Sequence, residues 1–465
     1  MDTLENRTFD EISPGDSATL SRTLTTRDID LFAVMSGDVN PSHMDAEFAA
    51  EDSFHRIVGH GMWGGALFST LLGTELPGAG TIYLGQSLRF HGPMGLGDTV
   101  TVRVTVREKH ADGHRVIFDC LCAGADGTPL ITGEAEVTAP TEKIRRAKVD
   151  LPEVHLRRRG GAYEALIRAT DDLEPIRTAV VHPCDAVSLA GALQAAEMGL
   201  ITPVLVGPET RIRAVAEAEG LSLAGVDLVD SAHSHASAEE AVALVRAGKA
   251  EALMKGALHT DEVMSAVVDR AKGLRTERRM SHVFAMDVPS YPKPLFITDA
   301  AINIFPDLAV KADIVQNAIE LVRCMGVEVP KVAILSAVET IMPNIPSTVE
   351  ASALCKMADR GQITGGVLDG PLAFDNAISL AAAQTKGIVS PVAGQADILV
   401  APDLEAGNMI AKQLMYLAGA ASAGLVLGAR VPIMLTSRAD GEISRVASAA
   451  MAQLFVRRRA AGGVA

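Results

Sequence analysis

Cysteine is scarce, and no two of the five present (Cys120, Cys122, Cys184, Cys324, Cys355) stand in a CxxC spacing. Odd in number and scattered, they read as reduced thiols of a cytoplasmic protein. Positive charge is short as well. Forty-two Lys and Arg against 57 Asp and Glu leave a net charge of −15, which argues against nucleic acid as a partner. Anionic ligands must then be held by local groups, helix N-termini and individually placed Arg or Lys. The apolar run near the C-terminus, AGLVLGARVPIML, is cut by Arg430 and is too short to span a bilayer, so no membrane partner is expected. The opening MDTLENRTFDEI lacks the apolar stretch of a signal peptide. Neither a Walker A loop nor a GxGxxG turn appears at a strand–helix junction, which leaves nucleotide hydrolysis and a Rossmann cofactor unsupported. His233 and His235 have no third ligand at a useful spacing. The SAHSHASAEE stretch reads as a solvated loop before a helix, and no metal or bound cofactor is expected.

What is present falls into two halves with different patterning. A chain of 465 residues, 48% hydrophobic and 21% charged, has material for two or three domains at roughly 150 residues each. From 80 to 138 the pattern has period two. In DTVTVRVTVRE, Val100, Val102, Val104 and Val106 share one face, and Thr101, Arg103, Thr105 and Arg107 share the other. Asp112-Gly113 and Asp126-Gly127 between apolar runs signal hairpins. Ahead of these strands, GMWGGALFSTLLG is an apolar helix rich in small residues, able to lie close against a curved antiparallel sheet. One buried helix gripped by such a sheet is the hotdog arrangement, an α+β domain expected over 1–140, with Trp63 as core or pocket lining.

KIRRAK, HLRRRGG and Pro152 mark a solvated linker over 141–162. From 163 to 465 β-rich runs alternate with helical ones: TAVVHP, DAVSLAGALQAAEMG, TPVLVG, ETRIRAVAEAEG, and later KVAILSA, ADILVAP and VPIMLTS. This is α/β patterning with mainly parallel strands. The length suggests two lobes with a cleft, ligands binding at the C-terminal ends of strands.

In the first half, SGDVNPSHMD sets Asp38 five positions before His43, with Asn40-Pro41 making the bend. Such a pair is more often a polar surface loop than chemistry. Context raises its standing, because His60 is followed by Gly61, which opens the apolar helix. A backbone N–H at that positive helix end suits a thioester oxygen becoming an enolate. SGDVNPSHMD together with IVGHGM, GGALFSTLLG and IYLGQSLRF resembles the (R)-specific enoyl-CoA hydratases, the MaoC-like hotdog enzymes, over roughly residues 10–138. The resemblance implies that Asp38 and His43 hold and activate water. It implies that Gly61 supplies the oxyanion N–H, that Ser69 helps to fix the site, and that Asn40 and His60 take part in binding.

In the second half, MKGALHTDEV places Lys255, Gly256 and Thr260 ahead of a helix, a candidate phosphate cradle. EAGNMIAKQL sets Asn408 and Lys412 at i, i+4 on one helix face. TSRADGEIS puts Ser437, Arg438 and Asp440 at the end of an apolar strand. Each taken singly has a bland reading as a cap, a solvated face or a turn. GLRTERRMSHVFAMDVPSYPKPLFITDAAINIFPDL, AGQADILVAPDLEAGNMIAKQL and VPIMLTSRADGE together resemble the phosphate acetyl/butyryl transferases, the butyryl branch above all, over about 165–458. That family implies a two-lobed, isocitrate-dehydrogenase-like α/β fold, a homo-oligomer of two or more copies, and acyl-CoA and phosphate as substrates. Ser437 and Arg438 match its Ser-Arg pair, the donor to the oxyanion and the holder of the anionic substrate.

Two positions depart from the acetyl branch. Ser444 stands where an acidic residue is expected, so that Asp440 or Glu442 must replace it or the site does without. An arginine expected just after the phosphate loop has no match in TDEVMSAVV, and Arg275 is the substitute. The resulting expectation is a bifunctional CoA-thioester enzyme, with two weaker readings beside it. In one, the transferase-like half is a non-catalytic acyl-CoA sensor or assembly module. In the other, the hotdog half is a thioesterase, which the NPSH loop fits less well than hydration.

Overall fold

The structure is a computed structural model that describes residues 3–149, 154, 161–435 and 441–462. The chain divides into two compact units, Met1–Arg157 and Arg158–Ala465.

In the first unit, five antiparallel strands lie in the order Ser17–Thr23, Thr99–His110, Arg115–Ala123, Pro129–Thr138, Ile82–Phe90. Val100, Val102, Val104 and Val106 are all buried, as alternation requires when successive side chains leave opposite faces of a strand. Both expected turns carry glycine at positive φ, 70° at Gly113 and 83° at Gly127. The helix Gly61–Thr74 lies on the apolar face of the sheet and shares a core with it through Trp63, Leu67, Phe68, Leu71 and Leu72. Each such side chain contributes roughly 2 kcal/mol by leaving water. The close approach depends on Gly64, where a Cβ would lie 2.8 Å from Ile131 Cδ1 and 2.9 Å from Met94 Sδ. Trp63 belongs to this core.

The unit runs past residue 140. Arg145–Ala147 pairs antiparallel with Thr3–Glu5, and Asn6 Nδ2 donates to the Glu142 carbonyl at 2.8 Å. Lys143 pairs with Glu11 at 2.9 Å. The KIRRAK stretch is thus tied to the N-terminus by strand pairing and is not only a connector. Most of HLRRRGG, and Pro152, lie outside the described residues.

The second unit is built on one eleven-stranded sheet, where separate lobes had suggested two. Asp227–Asp230, Ile201–Gly207, Ile176–Val181, Ala252–Lys255 and Ile433–Met434 form one parallel half. Leu295–Thr298, Ile398–Val400, Lys331–Leu335 and Val367–Leu372 form the other. Between them, Ala421–Leu427 and Ser281–Asp287 pair antiparallel with each other and with their outer neighbours. Three antiparallel pairings in succession reverse the strand direction, so the two halves end their strands on opposite sides of the sheet. Helices Ala186–Glu197, Leu308–Cys324 and Glu442–Ala460 cover one face of the sheet.

Candidate functional sites

In the first unit, helix Thr26–Ser36 starts with a reciprocal cap between Thr25 and Asp28 and ends at Gly37, whose φ of 77° turns the chain. That turn delivers Asp38. Its Oδ1 accepts the Asn40 N–H at 3.2 Å, and Asn40 Oδ1 accepts the Ser42 N–H at 3.1 Å, capping the short helix Pro41–Met44 that carries His43. Asn40 is therefore a loop-shaping residue. His43 Nδ1 lies 2.8 Å from the Val58 carbonyl, and a carbonyl can only accept, so this nitrogen carries the ring proton. His60 Nε2 lies 3.0 Å from the Asp38 carbonyl. The His43 and His60 rings sit 4.0 Å apart between centroids, and the Phe32 ring is 4.9 Å from that of His60.

His60 also precedes the first residue of the central helix, so Gly61 presents an N–H that has no partner inside the helix. Phe90 stands beside it, 3.1 Å from where a Cβ on Gly61 would be. Asp38, His43, His60 and Gly61 therefore come together as the sequence suggested. Ser69 does not join them. It is exposed on the same helix, eight residues past Gly61 and so roughly 12 Å along the axis.

In the second unit, Lys255 ends its strand and is 3% exposed. Gly256 and Ala257 donate their N–H groups to the Val181 and His182 carbonyls, both at 2.9 Å. A Cβ at Gly256 would lie 2.4 Å from the Val181 oxygen, which is why glycine stands there. Thr260 opens the helix Thr260–Val268. That helix is capped by His259 with Glu262, whose carboxylate accepts the His259 N–H at 2.7 Å. His233 caps its own helix by accepting the Ala236 N–H at 3.2 Å. His235 reaches Glu262 at 3.2 Å, so the HSH stretch braces the 260 helix. Ser437, Arg438 and Asp440 lie outside the described residues. The strand ahead of them places Met434 beside Met254, next to Lys255 and Gly256. Glu442 is exposed, and Ser444 lies in the first turn of the helix Glu442–Ala460.

Sequence reasoning passed over four groups here. Arg445 is buried, and its guanidinium donates to the Lys255 carbonyl at 3.2 Å. It brings an arginine to the Lys255–Gly256 turn from the C-terminal helix, where no spacing rule pointed. Arg275, the expected substitute, pairs instead with Ala429 beyond the far end of strand Ala421–Leu427. That is about five residues, roughly 17 Å, down the strands from the level of Lys255. His182, with φ 55°, places Nδ1 2.9 Å from Ser237 Oγ beneath the turn, and burial lowers its pKa. His282 is buried against the strand that leads to Ser437. Burial pushes its pKa down to about 4, opposed only by a hydrogen bond to the Leu435 backbone.

Asp299 is the fourth. It is 2% exposed and accepts N–H groups from Ala301, Ile302 and Asn303, plus the Asn303 side chain at 2.6 Å. Burial outweighs these donors and raises its pKa. The loop so fixed offers the Ala300 carbonyl to Asn408 Nδ2 at 3.1 Å, while the Lys412 ammonium sits 6.0 Å from the Tyr416 ring. Asn408 and Lys255 are not one cluster. Met254, Met434, Leu425, Val283 and Thr298 form a single row across the sheet, four strand spacings or about 19 Å long. A polar cavity of about 380 Å³ opens beside Arg278, Asp313, Glu320 and Arg323 and holds none of the expected residues.

The first unit is a hotdog domain with an Asp–His pair at the mouth of its central helix, and the second has the alternating α/β fold of a phosphotransacylase. The comparisons give both a family. A "MaoC like domain" matches residues 12–117, and "Phosphate acetyl/butaryl transferase" matches residues 236–453. A phosphate acetyltransferase of Rhizobium meliloti is 64% identical over 303 residues, covering 65% of this chain and 96% of the relative. A phosphate butyryltransferase of Clostridium acetobutylicum is 38% identical over 293 residues, covering 63% and 97%. The crystal structure of a branched-chain phosphotransacylase from Enterococcus faecalis V583 aligns with a TM-score of 0.54 at 29% identity, over 60% of this chain and 99% of its own. The chain belongs to the phosphate acetyl/butyryl transferase family and carries a MaoC-like domain ahead of it. Its likeness to the acetyltransferase exceeds that to the butyryltransferase, the reverse of the expected branch. Among the described residues no helix is long and apolar enough to cross a membrane.

Proposed function

We propose that this chain is a bifunctional CoA-thioester enzyme. The second unit exchanges an acetyl group between CoA and phosphate, and the first hydrates a trans-2-enoyl-CoA to the (R)-3-hydroxyacyl-CoA or runs the reverse. The transferase reading is supported by 64% identity across nearly the whole of a phosphate acetyltransferase. A phosphate oxygen attacks the thioester carbon, the carbonyl oxygen becomes an oxyanion, and the CoA thiolate leaves. By the family resemblance, Ser437 and Arg438 are the residues to meet that oxyanion and the phosphate, and Arg445 holds the Lys255–Gly256 turn through the Lys255 carbonyl. Fixed donors aimed at a developing oxyanion are the largest source of catalysis in such transfers.

The hydratase reading rests on one observation: Asp38, His43 and the Gly61 N–H meet at the mouth of the central helix. In that reading the thioester oxygen lies on the Gly61 N–H, which stabilises the enolate. The Val58 carbonyl holds the His43 tautomer, leaving its Nε2 to take a proton from water. The water oxygen bonds to C3, and a proton from the Asp38–His43 pair goes to C2 on the same face. General acid–base work of this kind contributes about 10²–10⁴-fold.

Phosphate-dependent release of free thiol from acetyl-CoA tests the transferase. Absorbance loss of the enoyl thioester, with chiral analysis of the product, tests the hydratase. One observation favours a second reading, an acyl-CoA-sensing second unit: Ser444 stands where an acid is expected. Thiol release that does not respond to phosphate, with acetyl-CoA still bound, would favour it.

A further inference from the structure

His43 Nδ1 and His60 Nε2 each face a backbone carbonyl, those of Val58 and Asp38. Each therefore carries its ring proton there, and the second nitrogen of each ring keeps its lone pair. At His60 this lone pair belongs to Nδ1, an atom sealed from solvent in a residue 2% exposed, with no hydrogen-bond donor. An unmet buried acceptor costs about 1–3 kcal/mol, so something that accepts its electrons is the natural occupant. One ligand atom from each of Asp38, His43 and His60 lies within 4.8 Å of the other two. No other trio of His, Cys, Asp or Glu among the described residues meets that spacing.

Two neutral imidazoles and one carboxylate are a borderline-metal donor set. Imidazoles anchored through the other N–H to a backbone carbonyl have the outer support that metal-binding histidines use. We propose that Asp38, His43 and His60 form a site for a divalent transition-metal ion, zinc by its donor set, and that the ion takes the place of the water and halts hydration. Binding draws the ligands to about 2.1 Å from the ion. Asp38, on an exposed loop after Gly37, is the ligand that moves, while His60 is fixed by its burial. The ion releases no electrons and breaks no bond. It blocks His43 Nε2, the atom that would accept the proton of water. Only the halt of hydration rests on the hydratase reading; the site itself does not.

The test uses the full chain, stripped with a chelator and titrated with Co²⁺ alone. The expected result is one saturable equivalent per chain, with the intense visible bands of a low-coordinate cobalt centre, displaced by Zn²⁺. His60→Ala and Asp38→Asn should each weaken binding at least about tenfold. Parent-like fluorescence of Trp63, which lies in the core of the first unit, would show that this unit is still folded. A His233→Ala, His235→Ala double variant should bind Co²⁺ as the parent does. Absence of a saturable site, binding unaltered by His60→Ala, or binding lost in the double variant would each overturn the site. In the same samples one equivalent of Zn²⁺ should slow enoyl-CoA hydration at least about tenfold, reversed by EDTA, with thiol release unchanged. Bound metal with undiminished hydration would overturn the halt. A metal-free protein with no hydration at all would sink the hydratase reading and leave the cobalt result to judge the site.

Discussion

The buried imidazole of His282 makes the second unit sensitive to acid in a way that can be isolated. It sits on strand Ser281–Asp287, 1% exposed, 4.2 Å from the Phe284 ring. It is in register with Val426 on the neighbouring strand, and its ring leans over Gly424, where a Cβ would lie 2.7 Å from His282 Nε2. No charged group contributes to its shift; burial drives its pKa from the ordinary 6.5 to about 4. The folded state therefore binds this proton more weakly than the unfolded state does. Stability from this group is complete above about pH 6.5, falls as pH drops toward about 4, and is level below that. The gap, at roughly 1.4 kcal/mol per pH unit, is worth about 3 kcal/mol.

The single tryptophan, Trp63, lies in the first unit, so its fluorescence does not follow this event, and a whole-chain transition is not two-state. Hydrogen exchange of the Ser281–Asp287 amides through global opening, compared at about pH 7 and about pH 4.5, reads the second unit directly. His282→Gln keeps a donor for the Leu435 backbone and removes the titration. Its stability should fall by about 2–3 kcal/mol less than the parent's over that span. Identical slopes in parent and variant would refute the assignment of the acid sensitivity to His282.

Asp38→Asn and His43→Ala should each lower enoyl-CoA hydration by at least about a hundredfold with thiol release unchanged; hydration at the parent rate would remove both from the mechanism. Ser437→Ala should slow phosphate-dependent thiol release by roughly a hundredfold, and a change of only a few-fold would mean that this serine does other work. Gly256→Ala forces a methyl against the Val181 and His182 carbonyls, which no rotamer change relieves. It should cost at least about 1–3 kcal/mol in the second unit, seen as a lower melting temperature that Trp63 fluorescence does not share. Asn408→Ala leaves the Ala300 carbonyl without its partner, costing about 1 kcal/mol; the effect should appear in KM for acyl-CoA or phosphate, measured in the same thiol assay.

Periodicity determined what local repetition can determine. The valines of Thr99–His110, the two Asp-Gly turns and the small-residue helix were legible because strand and helix periods are properties of a few consecutive residues. Asp38, His43 and Gly61 were legible as candidates because a bend and a helix start stand within 24 residues, while their roles, and a part for His60, came from the resemblance to the hydratases. Only the tertiary structure decided the rest. Nothing in the alternation of strands and helices says that the two halves of the second unit share a sheet. It also cannot say that three antiparallel pairings reverse that sheet, setting Met254, beside Lys255, and Thr298, near the loop that Asn408 holds, at the two ends of a row about 19 Å long. Arg445 reaches the Lys255 carbonyl across 190 residues of chain, and the buried state of His282 and Asp299 depends on what packs over them. Contacts at such separation are fixed by sheet order and burial, which the sequence encodes only through the energy of the whole fold.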